Sequence, residues 1–320
     1  FSIIIFIAYK MNRYGEYGND APTHFLFFFL ISEIIKSIYD SKNYDISNNF
    51  ILSIFILLNK VTMAFAILLP FMFIKKNNII SVLKLKKFYF GISFLILWII
   101  KNFAVSGCLV YPVSKLCFEE ISWTNIKQVE YVSSENEAWT KGWSDHINKN
   151  NISQSEYSKN FIWLKTWIQN HFKKIIKILL PYLVLLIAIY SFLFFKYNIK
   201  KYQPPKKEKK KYFILILFMS LFSIIWFLKV PVFRYGYSYF ISLFALIFSY
   251  LCIFLNLNSK NIIRFFSFFL VLSLTVFVSK NSLRIIKKDE KNYNNYWPKI
   301  VFLKKNDVKK IKLKNMTYFE

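Results

Sequence analysis

Residues 13–24 concentrate side chains that could do chemistry, in the sequence RYGEYGNDAPTH. Glu16 and Asp20 are two carboxylates four residues apart, a spacing that could supply a general base and a metal ligand. Arg13 and His24 flank them and are candidate substrate-binding residues. A simpler role is also open, in which Asp20 caps a helix that begins near Pro22. We expect Glu16 and Asp20 to be catalytic, with Asp20 as the ligand if Mg²⁺ or Mn²⁺ takes part.

A second candidate segment, KVPVFRYGY, follows a long apolar block. Its Lys229 and Arg234 could hold the phosphates of a lipid-linked substrate, with Tyr235 beside them. The same residues could instead be snorkelling anchors in an aromatic belt at the membrane surface. Lys60 and Lys101 also lie in or near apolar blocks, where they could face a polar cavity or snorkel.

The three cysteines suggest one disulfide and no zinc site. Cys108 and Cys117 follow an apolar block and could pair in an oxidising compartment, or remain two buried thiols. Cys252 lies inside an apolar block and is expected only to pack. Trp139 and Trp143 could stack on sugar rings, or could fold their loop onto the membrane.

The elements that must position these residues are membrane helices. The chain has 320 residues, of which 55% are hydrophobic, and its apolar residues form long blocks that are too continuous for barrel strands. A partial span before Tyr9 and six full blocks give about seven spans. The blocks cover residues 50–74, 89–105, 175–195, 212–228, 237–255 and 262–279. We therefore predict an all-α polytopic membrane helix bundle whose partner is the lipid bilayer.

The net charge of +27 reflects membrane topology rather than nucleic-acid binding, because lysines cluster in the short segments between apolar blocks. Segments 75–87 and 196–211 carry five and eight lysines, against no acid and one Glu. We expect both to be cytoplasmic. Segments 10–49 and 106–172 each carry a net charge of −1. We expect external loops over 10–49 and 106–174.

Two apolar segments fit less simply. If residues 25–38 crossed the membrane, the lysine-rich segment 75–87 would lie outside, so we expect a re-entrant or surface helix there. Residues 161–172 have an apolar helical face with Trp163 and Trp167 one turn apart. This pattern predicts an interfacial helix with aromatic anchors.

The predicted domains are a transmembrane helical domain over residues 1–279 and a basic tail over 280–320. The tail holds twelve basic and four acidic residues, lies outside by parity, and alternates like a strand over residues 310–313. We expect the chain to be a fragment that begins inside a longer protein, with a tail that could also be cut short.

This layout resembles the GT-C superfamily of membrane glycosyltransferases. Residues 13–20, 107–112 and 231–236 are similar to three motifs of a family of bacterial membrane proteins found among surface-polysaccharide genes. Residues 107–112 of this chain, GCLVYP, resemble that family's Gly-Asn-Pro-x-Tyr-Pro motif but lack its Asn-Pro pair. The superfamily places its principal catalytic Asp just after its first span. If residues 1–9 belong to a later span, that Asp would lie upstream of this chain.

The resemblance implies transfer of a sugar from a polyprenyl-phosphate donor to a cell-envelope glycan or lipid, in a bacterial inner membrane with the large loops external. Asp20 or Glu16 would be the base, and Arg234 with Lys229 would hold the donor phosphate. The alternatives are an O-antigen-type oligosaccharide polymerase, a transporter, and a non-catalytic membrane subunit. The sequence indicates no oligomeric state.

Overall fold

The computed structural model of the chain describes residues 2–11, 20–39, 44–73, 84–147, 152–197, 205–255, 257–286, 310–313 and 316–319. The chain divides into two compact units, Phe1–Leu274 and Thr275–Glu320. In the described part, every regular element is helical except a two-stranded hairpin in the second unit. The predicted all-helical class therefore holds for the described bundle.

The helices follow one another along the chain with short connections. They are α1 Ser2–Lys10, α2 Asp20–Tyr39, α3 Ile46–Asn59, α4 Val61–Phe71, α5 Lys86–Ser106, α6 Ile126–Thr140, α7 Gln154–Lys159, α8 Trp163–Trp167, α9 Lys173–Lys196, α10 Lys206–Lys229, α11 Phe233–Ile253 and α12 Ser259–Ile286. Helix α4 is a 3₁₀ helix, and a π turn, Ile168–Phe172, joins α8 to α9. Two short 3₁₀ turns, Ser114–Leu116 and Trp143–Asp145, lie between α5 and α7.

Six described helices are long and apolar enough to cross a membrane. They are Asp20–Tyr39, Lys86–Ser106, Trp163–Lys196, Lys206–Lys229, Phe233–Ile253 and Lys260–Leu283. Their length and composition are compatible with an integral multi-pass membrane protein. The last five correspond to predicted blocks, whereas the block at 50–74 does not form one long helix.

The block at 50–74 folds instead as a helical hairpin. Helices α3 and α4 meet at Lys60, whose backbone is extended, with φ −154° and ψ 106°. The rings of Phe50 and Phe71 lie 5.2 Å apart, so the two helices turn back on each other with Lys60 at the tip. A continuous apolar helix would leave the Lys60 ammonium without a partner, and the break lets its side chain reach one.

Residues 25–38 lie in α2, to which the structure gives the length of a span rather than that of a short surface helix. Glu33 and Lys36, two charged residues one turn apart in α2, approach each other to 4.0 Å. Pairing on the helix surface lowers the penalty of carrying two charges near lipid. Helix α2 therefore has the length and composition of a span, and the block at 50–74 is divided into two shorter apolar helices.

The predicted interfacial helix at 161–172 continues directly into the next span. Trp163 and Trp167 are 1% and 6% exposed, so they are core residues rather than surface anchors, which corrects the prediction. The Trp167 Nε1 donates to the carbonyl of Pro231 at 2.6 Å, because a buried indole nitrogen needs an acceptor. This bond fixes the turn between α10 and α11 against α8.

Close packing between α10 and α11 fixes the start of α11. At Gly236 an added Cβ would lie 2.2 Å from Cδ1 of Trp226, so only glycine fits there. The Trp226 Nε1 also donates to the carbonyl of Val232 at 3.1 Å. Together these contacts position the first turn of α11, which carries Arg234.

Two contacts show which helix ends lie together in the first unit. Tyr39 and Tyr212, at the end of α2 and the start of α10, have rings 6.1 Å apart. Lys87 Nζ, at the start of α5, lies 3.6 Å from Asp45 before α3. The helix ends beside the lysine-rich segments therefore gather at one end of the unit, opposite the starts of α2 and α11.

In the second unit, β1 Lys310–Leu313 pairs antiparallel with β2 Met316–Phe319. Lys310 lies opposite Phe319, and Leu313 lies opposite Met316. The alternating pattern at 310–313 therefore predicted a strand correctly.

Candidate functional site

Three elements bring charged side chains together around Asp20, in the first turn of α2. Lys60 Nζ, at the tip of the α3–α4 hairpin, donates a short hydrogen bond to Asp20 Oδ1. Arg234 Nε, in the first turn of α11, lies 3.8 Å from Asp20 Oδ2. Each oxygen of the carboxylate therefore faces one cationic side chain.

Lys60 is the buried member of this cluster, with a side chain 8% exposed. Its ammonium also donates to the carbonyl of Arg234 at 3.2 Å and lies 4.5 Å from the centroid of the Tyr235 ring. A buried ammonium needs hydrogen-bond and charge partners to offset its lost hydration. These contacts lock the hairpin tip to the start of α11.

His24 holds α2 against α11 from beneath the charged cluster. Its Nε2 lies 2.8 Å from the carbonyl of Arg234, which can only accept, so Nε2 carries the proton. Its Nδ1 lies 2.8 Å from Ser238 Oγ and accepts from that hydroxyl when the ring is neutral. Both ring nitrogens are engaged and the side chain is buried, so His24 is a positioning residue rather than a substrate ligand.

Arg234 and Tyr235 form the exposed side of the cluster. The Arg234 side chain is 59% exposed, its Nη2 donates to the Tyr235 hydroxyl at 2.9 Å, and its Cζ lies 4.9 Å from the Tyr235 ring centroid. Helices α2 and α11 both begin here, and helix N-termini carry partial positive charge. The exposed face of the cluster is therefore suited to a phosphate or another anion.

Of the candidate residues from sequence, the structure brings together Asp20, His24, Arg234 and Tyr235. Arg13 and Glu16 lie outside the described residues. Lys229 has a different partner, since its Nζ lies 3.6 Å from Glu137 Oε2 and its side chain is 67% exposed. Lys101 is exposed on α5. From sequence, Lys60 was predicted only to face a polar cavity or to snorkel. Its position inside an otherwise apolar block indicated that it needs a polar partner.

A second ionic network, which the sequence analysis missed, holds the segment between α5 and α9 together. Lys141 is 2% exposed, and its Nζ donates to Glu137 Oε1 at 2.6 Å and to the carbonyl of Ser158 at 2.9 Å. Tyr157 donates to the carbonyl of Lys141 at 3.1 Å, and burial raises the pKa of its phenol. The spacing of Glu137 and Lys141 on one helix was a readable signal for this pair.

The residues around Asp20 do not fit a divalent cation. Both carboxylate oxygens already face cationic side chains. Among the described residues no group of three His, Cys, Asp or Glu side chains gathers. The Mg²⁺ or Mn²⁺ expected from sequence stays a prediction, and no step proposed below uses it.

Of the remaining candidates, Cys108, Cys117 and Trp143 lie between α5 and α8, and Cys252 lies in α11. Cys108 and Cys117 form a disulfide, and Cys252 is a free thiol. Trp143 stacks on His146 with ring centroids 5.9 Å apart and meets Tyr157 edge-on at 5.1 Å. Trp143 is thus a packing residue of this segment.

Comparison with known proteins gives a family but no described activity. No curated protein matches the chain, and no solved structure matches it. A family model described as "Domain of unknown function (DUF8201)" matches residues 2–241. That region holds Asp20, Lys60 and Arg234. Because the match covers most of the sequence, the chain belongs to the family described as Domain of unknown function (DUF8201).

Proposed function

We propose that the chain is a membrane glycosyltransferase that moves a sugar from a polyprenyl-phosphate donor to a cell-envelope glycan or lipid. The observation that carries this proposal is the cluster in which Asp20, Lys60 and Arg234 meet at the starts of α2 and α11. In this cluster the Asp20 carboxylate lies beside an exposed guanidinium. Sugar transfer from a phosphate donor needs that pair: a base for the acceptor and a cation for the leaving group.

The reaction divides between the two exposed groups. The acceptor hydroxyl oxygen attacks the anomeric carbon, and the bond from that carbon to the phosphate oxygen breaks. Asp20 takes the hydroxyl proton, while the bonding electrons leave with the polyprenyl phosphate. Arg234 stabilises the negative charge that gathers on the phosphate. Lys60 orients Asp20 through its hydrogen bond to Oδ1.

Charge distribution supports an external position for this site. The lysine-rich segments border the helix ends opposite to Asp20 and Arg234, and such segments remain cytoplasmic. The α3–α4 hairpin then enters from the cytoplasmic side, meets α2 and α11 at Lys60, and returns. This re-entrant path satisfies the charge rule while α2 crosses the bilayer, and a disulfide at Cys108–Cys117 suits an external loop.

A complementation experiment tests the proposal. A strain lacking the chain would be supplied with wild type, D20N, R234Q or E33Q, and its envelope glycans and polyprenyl-phosphate sugars measured by mass spectrometry. E33Q is the matched control, because Glu33 is the other acid described in α2 and its ion pair is with Lys36 of the same helix. We expect D20N and R234Q to lose one sugar from the glycan and accumulate its lipid-linked donor. An unchanged glycan in both variants would contradict the proposal.

A second candidate function is transport of an anion, favoured by the break at Lys60. Transporters often place their substrate where discontinuous helices meet, and the extended backbone at Lys60 is such a point. Purified protein in vesicles loaded with radiolabelled phosphate or hexose phosphate separates the two functions. If wild type releases the label and K60M does not, the result would indicate transport. Retained label, with sugar transfer from a lipid-linked donor, would indicate the enzyme.

A further inference from the structure

A cleft of about 420 Å³ lies between the end of α5 and the start of α6. None of the residues of the charged cluster at Asp20 lines it. Its lining is more apolar than polar, with Val105, Val129 and the rings of Tyr111 and Trp123 beside the amides of Asn102 and Asn125. Among the described residues no charged side chain lines the cleft, and its volume suits a small ligand or a few units of a polymer. An uncharged lining that combines apolar surface with amide groups favours a neutral, amphipathic ligand over a phosphate.

Two aromatic side chains offer their surfaces to the cleft. Trp123 is 56% exposed and Tyr111 is 38% exposed. An indole or phenol ring combines a flat apolar face with a polar edge. The C–H face of a pyranose ring is apolar while its rim carries hydroxyls, so this surface matches a sugar.

Amide side chains supply the complementary polar contacts. Amides both donate and accept hydrogen bonds, which is what sugar hydroxyls require. The Asn125 Oδ1 is engaged by the backbone N–H of Gln128 at 3.0 Å. The Asn102 Nδ2 has no hydrogen-bond partner among the described residues, an arrangement that is costly unless a ligand or water satisfies it.

The walls of the cleft are fixed before any ligand binds. The disulfide Cys108–Cys117 closes the loop that carries Tyr111. The N–H of Phe118 donates to the carbonyl of Gly107 at 3.0 Å. Gly107 has φ +70°, and an added Cβ there would strike the Thr124 hydroxyl at 1.7 Å. A fixed wall lowers the entropy that binding must remove.

We propose that this cleft binds a neutral saccharide, with the Trp123 ring as its stacking platform. Its role as the subsite for the acceptor glycan rests on the proposed glycosyl transfer. Saccharide binding by the cleft does not depend on that function. Sugar-ring stacking then fixes the acceptor, and the charged cluster acts on the donor.

Saturation-transfer NMR on the full chain in lipid nanodiscs, free of sugar detergents, tests the proposal. The probe is the pool of neutral oligosaccharides released from the envelope of the native host. We expect wild type to bind, W123A to bind at least tenfold more weakly, and W123F to recover part of the loss. W139A is the matched control, because Trp139 is 54% exposed but does not line the cleft, and it should bind within twofold of wild type.

Three outcomes would overturn the proposal. The first is the absence of an NMR saturation-transfer signal from every oligosaccharide, and the second is equal binding by wild type and W123A. The third is quenching of Trp123 fluorescence by brominated lipid, which would make the indole a membrane anchor. D20N separates this proposal from the proposed function. It should abolish sugar transfer and leave saccharide binding unchanged, so either idea can fail without the other.

Discussion

At the residue scale, the pairing of Asp20 with Lys60 makes a specific prediction about stability. D20N leaves the Lys60 ammonium, which is 8% exposed, without its carboxylate, and we expect the free energy of unfolding to fall by about 1–3 kcal/mol. The double variant D20N/K60M removes the uncompensated charge as well. Thermal unfolding in detergent should therefore show it to be more stable than D20N alone. Additive losses in the double variant would mean that the pair is not coupled.

His24 makes a second prediction at this scale, because it acts through Arg234. S238A removes one of its two hydrogen bonds and should lower the free energy of unfolding by about 0.5–1.5 kcal/mol. H24A removes both bonds and leaves a cavity, so its loss should be larger. If His24 only positions Arg234, S238A should raise the KM for the lipid donor more than it lowers kcat. A selective fall in kcat with an unchanged KM would argue against that role.

At the element scale, the central prediction is that α2 crosses the membrane and the α3–α4 hairpin does not. Asn48 lies in the first turn of α3 and Lys84 precedes α5; both are exposed, and both should lie on the cytoplasmic side. Glu119 follows the disulfide loop and should lie outside. In a C252S background, a membrane-impermeant maleimide should label E119C in intact cells, and N48C and K84C only after permeabilisation. Labelling of N48C from outside would restore the arrangement in which 10–49 is one external loop.

The contact between α10 and α11 gives a second prediction for the elements. G236A drives a methyl group into the Trp226 ring, 2.2 Å away, and should lower the free energy of unfolding by about 1–3 kcal/mol. In the W226A background the added methyl meets no indole ring, so G236A should lower the free energy of unfolding by less than it does in wild type. G91A is the matched control, because its nearest atom is the mobile end of Ile54 at 3.1 Å, and it should change stability less. An equal loss in G91A and G236A would contradict this account of the packing.

Secondary structure was predicted well where the signal is local. The blocks at 89–105, 175–195, 212–228, 237–255 and 262–279 all lie in long helices, because a span needs only length and apolar composition. The block at 50–74 has the same composition, yet it breaks at Lys60 to bring one charge to its partner. Hydropathy does not encode such a partner, so the sequence predicted one long helix at 50–74, where the structure has the two shorter helices α3 and α4.

At the scale of the whole molecule, the candidate site depends on contacts between distant parts of the sequence. His24 and Ser238 are 214 residues apart, and Lys60 and Asp20 are 40 residues apart. The chemistry of Asp20, Arg234 and Tyr235 was readable from residue type, but their convergence was not. Lys229 is close to Arg234 in sequence and was predicted to act with it, but its side chain pairs with Glu137 instead.

The whole molecule should move a sugar from a lipid donor, and a reconstituted transfer reaction measures this directly. Purified chain in vesicles would receive the total polyprenyl-phosphate sugar pool and the envelope glycan of the native host, with free polyprenyl phosphate followed by mass spectrometry. We predict release that depends on the glycan in wild type and E33Q, and release at least a hundredfold slower in D20N and R234Q, in keeping with a lost base or a lost charge stabiliser. No release by wild type, or equal release by D20N, would contradict the account.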